Sequence, residues 1–248
     1  MALALAGAFS RLGDTRAGDL AEQLCRPFLT GVRRQTSWEH RQLGLGLYPM
    51  VRAATLLEAR GLRERLWEAG RALPVDALLE SRAVDVVLGH AGVLAGALAW
   101  RGMAEALFRS AEVRLDGTVA WQGGRTGASH GTGGVASVLW RAGRSHGEPA
   151  WIERASLGFA YEDTCWVRGT GNWDNGFGRP GYAWCHGAPG IVAMRLAAPG
   201  LPFSDGLVRE AVEFIASYAD DDPDTYCCGR IGRLCAWPLS WRSLLVSA

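Results

Sequence analysis

The sequence predicts an all-α fold built from repeated helical hairpins, and three observations support this. A four-residue glycine element recurs four times along the chain. Each of the first three copies opens an Ala/Leu/Val-rich segment with apolar residues at steps of three and four, the period of a helix face. No segment shows a convincing run of the period-two alternation that is typical of strands, so we expect helices throughout.

The glycine element has the form G-x-x-G. It occurs as GHAG, GTGG, GAPG and GRIG, and its first glycines are Gly89, Gly131, Gly187 and Gly229. These starts are 42, 56 and 42 residues apart, which suits two helices with their loops and is too long for one strand-turn unit. Glycine permits sharp turns and close backbone approach, so equivalent ends of the repeats are expected to cluster.

Helices are expected on both sides of each element. The segments that follow the first three elements are VLAGALAWRGMAEALF, VASVLWRAG and IVAMRLA. Amphipathic segments between elements are EPAWIERASLGFAYE and SDGLVREAVEFIASYA. A further stretch at 43–70 resembles a degenerate first copy, in which Pro49 and Met50 stand where a glycine element would be.

Composition narrows the class of protein. The 248 residues are 48% hydrophobic and 21% charged, which argues against disorder. Lys and Arg number 26 against 25 Asp and Glu, so a nucleic-acid binder that neutralises phosphates is not expected. The apolar start is too short to span a bilayer, and we expect a cytoplasmic protein. In that reducing compartment, clustered cysteines favour metal binding or catalysis over disulfides.

Two of the five histidines and half of the six cysteines stand just before a glycine element. The residues one position before the first glycines are Leu88, His130, His186 and Cys228, and those two positions before are Val87, Ser129, Cys185 and Cys227. Asp85 lies four residues before Gly89. In a closed ring of hairpins these residues would meet at one mouth, whereas in an open solenoid they would line a ridge. The sequence leaves both arrangements open.

Thiolates and imidazoles that converge from separate hairpins fit a zinc site, because Zn²⁺ prefers four tetrahedral sulfur and nitrogen ligands. Cys185, Cys227 and Cys228 would supply three thiolates, with His186 as a weaker fourth candidate. The adjacent cysteines have a second interpretation, as ordinary buried thiols or a vicinal disulfide. Asp85 likewise has two interpretations, a helix N-cap or a functional carboxylate. The remaining cysteines lack clustered partners and are interpreted as packing residues: Cys25, Cys165 and Cys235.

The motifs around these residues resemble those of the lanthionine synthetase C-like family. They are SHGTGG at 129–134, WCHGAPG at 184–190 and CCGRIG at 227–232, preceded by DVVLGHAG at 85–92. The segments YEDTCW and GNWDNGFG also resemble this family, and the adjacent cysteine pair is similar to the cyclase domain of class II, LanM-type lanthipeptide synthetases. The resemblance spans about residues 80–235 of a single expected domain, 1–248, whose residues 1–79 match weakly.

The resemblance implies an α/α toroid of helical hairpins with zinc at its mouth. It implies a cyclase that adds a peptide Cys thiol to dehydroalanine or dehydrobutyrine, giving a lanthionine thioether. The motif positions carry Cys185, Cys227 and Cys228 over as zinc ligands, His130 as an acid/base residue and Asp85 as a second one. The implied partners are a dehydrated precursor peptide and a dehydratase, on a separate domain or chain.

Two departures from the family pattern leave other functions open. The family has an arginine where this chain has Gly181, and the nearby Arg179 is out of register. No final glycine repeat follows GRIG, so the ring is expected to be incomplete at its C-terminus. The alternatives are a non-catalytic zinc-binding helical scaffold for peptide or thiol ligands and, more distantly, an α/α-ring glycosidase that uses Asp85 and Asp174.

Overall fold

The computed structural model describes residues 9, 12–31, 84–86, 89–96, 101–178, 181–196, 198, 200 and 205–217. The elements in these ranges are predominantly helices, which confirms the predicted all-α class. They are α1 Thr15–Gly31, α2 His90–Gly96, α3 Arg101–Arg109, α4 Thr132–His146, α5 Pro149–Thr164, α6 Ala188–Leu196 and α7 Asp205–Ser217. In the described ranges no helix has both the length and the apolar character needed to cross a bilayer.

Two minimal β-hairpins interrupt the helices, and the sequence pattern did not predict them. Strands β1 Glu112–Val113 and β2 Val119–Ala120 pair antiparallel between α3 and α4. Strands β3 Trp166–Val167 and β4 Asn172–Trp173 pair in the same way between α5 and α6. A two-residue strand is too short to show alternation, so periodicity cannot detect it. Each hairpin precedes a loop that leads to a glycine element.

Three glycine elements stand at the start of a helix, as predicted. The helices that begin within them are α2, α4 and α6, with first residues His90, Thr132 and Ala188. The fourth element at 229–232 and the degenerate copy at 43–70 lie outside the described residues. The first two intervals between elements, of 42 and 56 residues, therefore each contain a pair of helices with a small hairpin in the connecting loop.

Helices α4 and α5 form a tight antiparallel pair. Gly147 ends α4 in the left-handed conformation at φ 67°, and its N–H donates to the carbonyl of Gly143. Pro149 is the first residue of α5, a position where its missing N–H costs nothing. Only Gly147 and Glu148 separate the two helices, so the chain reverses in a short connection.

The described core consists of two apolar clusters. The larger one contains side chains of α2–α5 and the β1–β2 hairpin, among them Leu94, Leu107, Trp121, Leu139 and Phe159. The second cluster joins β4 to α6 and α7 through Trp173, Ile191, Val192, Val208 and Val212. Helix α4 packs against α6, so the two clusters belong to one continuous stack of helices.

Glycines in the repeated elements permit backbone contacts that a side chain would block. A Cβ atom at Gly134 would overlap the carbonyl of Ala128. A Cβ atom at Gly190 would overlap the carbonyl of Trp184 and would lie 2.8 Å from the Cβ of Ala128. The predicted reason for these glycines, close approach of the backbone, is therefore confirmed at both positions.

We expect Gly190→Ala to lower the free energy of unfolding by about 1–3 kcal/mol, because the added methyl group meets backbone that cannot rotate away. Gly102→Ala is the matched control, since Gly102 lies exposed within α3 with open space around its Cα. That control should gain up to about 1 kcal/mol from helix propensity. Urea unfolding measures both, and an equal effect of the two substitutions would contradict the close approach.

Candidate functional site

The loops before three glycine elements meet through backbone hydrogen bonds. The N–H of Val86 donates to the carbonyl of Ser129 at 2.9 Å, and the N–H of Ser129 donates to the carbonyl of Cys185 at 3.2 Å. These segments belong to different hairpins. The equivalent edges of three consecutive repeats are therefore neighbours, as expected from their alignment on the first glycine.

Asp85 and His130 form the polar pair of this edge. The Oδ2 atom of Asp85 lies 2.9 Å from Nδ1 of His130. Asp85 is 3% exposed, whereas the His130 side chain is 22% exposed. An ionised carboxylate only accepts hydrogen bonds, so we assign the proton to Nδ1 and leave Nε2 to exchange protons with a ligand. Asp85 lies five residues before the first residue of α2, which places it away from the N-cap position.

His186 stacks on His130. Their ring centroids are 5.2 Å apart with an interplanar angle of 28°. Burial lowers the pKa of His186, and the neighbouring His130 and Arg125 lower it further. The imidazole is therefore kept neutral, the form that binds metal ions. Its Nδ1 atom is buried and has no hydrogen-bond partner among the described residues.

Cys185 lies next to this pair and is 3% exposed. Its carbonyl accepts from the N–H of Ser129 in the loop that carries His130, so the backbone of Cys185 lies at the same edge. Cys227 and Cys228 lie outside the described residues, and the three-cysteine zinc site stays a prediction. Among the described residues no group of three or more His, Cys, Asp or Glu side chains is arranged to hold a metal ion. The donors that are present, a thiol and a neutral imidazole with an unused nitrogen, fit zinc.

An exposed cation and an exposed ring lie beside the histidines. The guanidinium of Arg125 is 5.0 Å from the ring centroid of Phe177. Phe177 is 57% exposed and meets the ring of His186 edge-on at 6.3 Å. Contacts therefore run continuously from solvent to the polar pair, through Arg125, Phe177, His186 and His130.

The backbone at Gly181 leaves no room for the family's arginine. A Cβ atom there would overlap the carbonyl of His186, and a Cβ atom at Gly187 would overlap the carbonyl of Gly181. The 181–187 loop is closed by this backbone contact. Arg179 lies outside the described residues.

Asn172 holds the same loop in place; it lies in the segment GNWDNGFG, but the sequence pattern assigned it no role. This fully buried amide donates to the carbonyl of Gly181. Its Oδ1 atom accepts from the N–H groups of Trp173 and Ala188, both at 2.9 Å. One side chain thereby joins β4, the loop of Cys185 and the first turn of α6.

A buried ion cluster fastens the loop of His130. Glu162 on α5 is fully buried, and its Oε1 atom accepts from the N–H of Gly127 at 3.1 Å. Arg195 on α6, also fully buried, lies 3.4 Å from Oε2 of Glu162 and 2.7 Å from Oδ1 of Asp163. Burial raises the pKa of Glu162, and the charge of Arg195 opposes that rise. Arg195 is the one charged residue of the segment IVAMRLA, and Glu162 and Asp163 lie in YEDTCW, but the sequence pattern assigned none of them a role.

Two residues considered from the sequence have structural roles here. Asp174 uses its carboxylate to accept from the N–H of Gly176 at 2.7 Å within a turn, while Asp85 is engaged with His130. The glycosidase alternative thus gains no support from a shared carboxylate pair. Cys165 packs with its thiol on the carbonyl of Tyr161, and burial raises the pKa of that thiol.

The fold and this edge define a predominantly helical repeat protein whose polar residues lie at the equivalent edges of successive hairpins. A family model for lanthionine synthetase C-like proteins matches residues 72–237, and the chain belongs to that family. Among solved structures, nisin cyclase is similar in fold, with a TM-score of 0.71 at 16% identity over 98% of this chain and 74% of that chain. This match confirms the α/α toroid. No curated protein matches the sequence.

We expect Arg195→Met to lower the free energy of unfolding by about 3–5 kcal/mol at neutral pH, because it leaves the buried Glu162 uncompensated. Without Arg195, the folded-state pKa of Glu162 rises further. A raised folded pKa removes stability as pH increases, so the loss should be small below the unfolded value of about 4.3 and should grow toward neutral pH. Urea unfolding across this range measures it.

Two controls accompany this variant. Adding Glu162→Gln to Arg195→Met should restore part of the stability at neutral pH and flatten its pH dependence. Arg101→Met breaks an exposed pair with Glu105 and Glu148 and should cost at most about 1 kcal/mol. A loss for Arg195→Met that is the same at pH 4 and pH 7 would contradict the assigned role of Glu162.

Proposed function

We propose that this protein is a zinc-dependent cyclase that joins Cys thiols to dehydroalanine or dehydrobutyrine residues of a peptide. The observation that carries the proposal is the Asp85–His130 pair. The loop that carries His130 is joined to Cys185 by the hydrogen bond from the N–H of Ser129 to the Cys185 carbonyl. This edge offers an oriented imidazole next to a thiol-bearing loop. Membership of the lanthionine synthetase C-like family supports the same chemistry.

Cys185, Cys227 and Cys228 are the proposed zinc ligands, with His186 beside them as the weaker fourth candidate. When bound, zinc supplies acidity, since a thiol that coordinates it loses its proton. The burial of Cys185 and the lowered pKa of His186 support this donor set. The exposed face of the site, at Phe177, would admit the peptide.

His130 is the proposed acid/base residue. Attack by the substrate thiolate forms the C–S bond at the β-carbon of the dehydro residue, and the alkene electrons move to the α-carbon and its carbonyl as an enolate. His130 then delivers a proton to the α-carbon through Nε2. The substrate thiol loses one proton when it becomes the thiolate, and the α-carbon gains one from His130, so the product has the mass of the substrate. Asp85 holds the ring by Nδ1 and stabilises its charged form.

The positive charge of Arg125 is the proposed stabiliser of the enolate, because it acts on the neighbouring His186 from the exposed side of the site. The substrate is a dehydrated precursor peptide, made by a dehydratase on another domain or chain. A reducing cytoplasm would keep the thiols of both the substrate and the site reduced.

One observation favours the second candidate, a non-catalytic zinc-holding scaffold. The closed contact between Gly181 and His186 excludes the arginine side chain that the family pattern has there. A single experiment distinguishes the two functions. The zinc-loaded protein is incubated with a synthetic peptide that contains one dehydroalanine and one Cys. Loss of the free thiol at unchanged mass supports the cyclase, and a persistent thiol with bound peptide supports the scaffold.

We expect Cys185→Ala and Cys227→Ala each to lose stoichiometric zinc, because ligand number and affinity are coupled at such sites. Cys165→Ala is the control: Cys165 packs against Tyr161, so that variant should keep its zinc. Elemental analysis of the dialysed proteins gives the content. If either ligand variant retained one zinc per chain, its place among the ligands would be wrong.

His130→Asn should slow ring closure by about 10²–10⁴-fold while leaving the zinc content unchanged, since it removes only proton transfer. His146→Asn serves as the matched histidine control, because His146 contacts Trp151 edge-on at 5.6 Å, away from this edge. Thioether formation is followed by thiol labelling and mass spectrometry. A wild-type rate in the His130 variant would exclude its acid/base role.

A further inference from the structure

Gln122 adopts a backbone conformation that favours glycine. It begins the short 3-10 turn Gln122–Gly124 at φ 52°, and it is the single non-glycine residue with positive φ in the described part of the chain. Gly123 and Gly124 follow at φ 72° and 88°. A left-handed residue with a side chain is uncommon, and such conformations concentrate where the surroundings fix them for function.

The neighbours on both sides of Gln122 are anchored. Trp121 is fully buried, its backbone N–H donates to Oγ1 of Thr132 at 3.1 Å, and its indole N–H donates to the carbonyl of Leu107 at 2.9 Å. The carbonyl of Gly124 accepts from the hydroxyl of Tyr161 at 2.8 Å. The turn therefore has a fixed orientation, and so does the direction of the Gln122 side chain.

The amide of Gln122 links the two segments that carry the polar pair. A carbonyl can only accept and backbone N–H groups can only donate, which fixes the assignment of the amide atoms. Nε2 donates to the carbonyl of His130 at 3.0 Å, and Oε1 accepts from the N–H groups of Val84 at 3.2 Å and Asp85 at 3.3 Å. One side chain thus contacts the backbone of both His130 and Asp85.

We propose that Gln122 is a positioning residue that sets the geometry of the Asp85–His130 pair. The two members of the pair are 45 residues apart and reach each other across two loops. Because the Gln122 side chain bonds to the backbone of both residues, it fixes the separation between the Asp85 carboxylate and the His130 ring. That separation in turn favours the tautomer that has its proton on Nδ1 and leaves Nε2 available. The three hydrogen bonds offset the strain at φ 52°. The consequence for catalysis rests on the proposed cyclase function, whereas the geometric claim does not.

Two substitutions distinguish the contributions of the hydrogen bonds that Gln122 accepts and donates. Gln122→Gly removes the amide and relieves the left-handed backbone, so the turn keeps its path without the bridge. Gln122→Glu keeps an acceptor for Val84 and Asp85 but sets a carboxylate oxygen against the carbonyl of His130. Leu139→Ala is the control for general destabilisation, because Leu139 is a fully buried core residue of α4.

The first measurement is the nitrogen NMR spectrum of the imidazoles in the full, zinc-loaded chain, with His130 assigned by its loss in His130→Asn. In the wild type we expect one protonated Nδ1 signal and one unprotonated Nε2 signal. In Gln122→Gly and Gln122→Glu the two signals should move toward each other as the tautomers exchange, while Leu139→Ala leaves them apart. Unchanged His130 signals in both Gln122 variants would overturn the proposal, whatever the activity of the protein.

The second measurement uses the thioether assay. Loss of the bridge should lower kcat by up to about 10²-fold with little change in KM, as expected when a catalytic group is misplaced. In the His130→Asn background the same substitution should have almost no further effect on kcat, because Gln122 acts through His130. Full additivity of the two losses would overturn the positioning role. Absence of turnover in the wild type would instead exclude the cyclase function and leave the NMR result to decide the geometry.

Discussion

The candidate site depends on the close backbone contact between the loops of successive hairpins. The carbonyl of Cys185 accepts from Ser129, whose own carbonyl accepts from Val86. A Cβ atom at Gly127 would overlap that same Cys185 carbonyl, and one at Gly131 would overlap the carbonyl of Thr126. Glycine is therefore required for the loops to exchange hydrogen bonds directly. Without this contact, Asp85, His130 and Cys185 would each stand at the end of a separate hairpin.

Buried polar side chains hold these loops, although burial of charge is costly. Glu162 reaches Gly127 from α5, and Arg195 lies between Glu162, Asp163 and the rings of Trp173 and Phe159. An apolar replacement of similar volume could match such a cluster in stability. An apolar side chain could not accept the hydrogen bond of Gly127, however. The cluster thus contributes a defined loop conformation, which the helices alone do not provide.

The sequence predicted the helices well because a helix is specified by residues that lie close together in the sequence. The G-x-x-G register marked the starts of α2, α4 and α6, and it predicted that Asp85, His130 and Cys185 share one edge. The two β-hairpins escaped prediction because two-residue strands carry no period. The roles of Asn172, Glu162 and Gln122 were not predicted for another reason. Asn172 and Glu162 lie in the family-like segments GNWDNGFG and YEDTCW, but all three side chains contact backbone groups of distant loops, and the sequence does not identify such partners.

The roles proposed for His130, Cys185 and His186 differ because each role needs a different environment. The proton transfer proposed for His130 needs a ring whose orientation is fixed. The buried carboxylate of Asp85 contacts that ring, which itself stays partly exposed. Cys185, which carries one of the thiols proposed to bind zinc, is almost fully buried. His186 stacks on His130, and burial lowers the pKa of His186, which favours the neutral ring and adds no positive charge next to the imidazole proposed to transfer the proton. A charged ring at that position would oppose protonation of His130, since stacked cations repel each other. The lowered pKa of His186 is therefore compatible with the acid/base role proposed for His130.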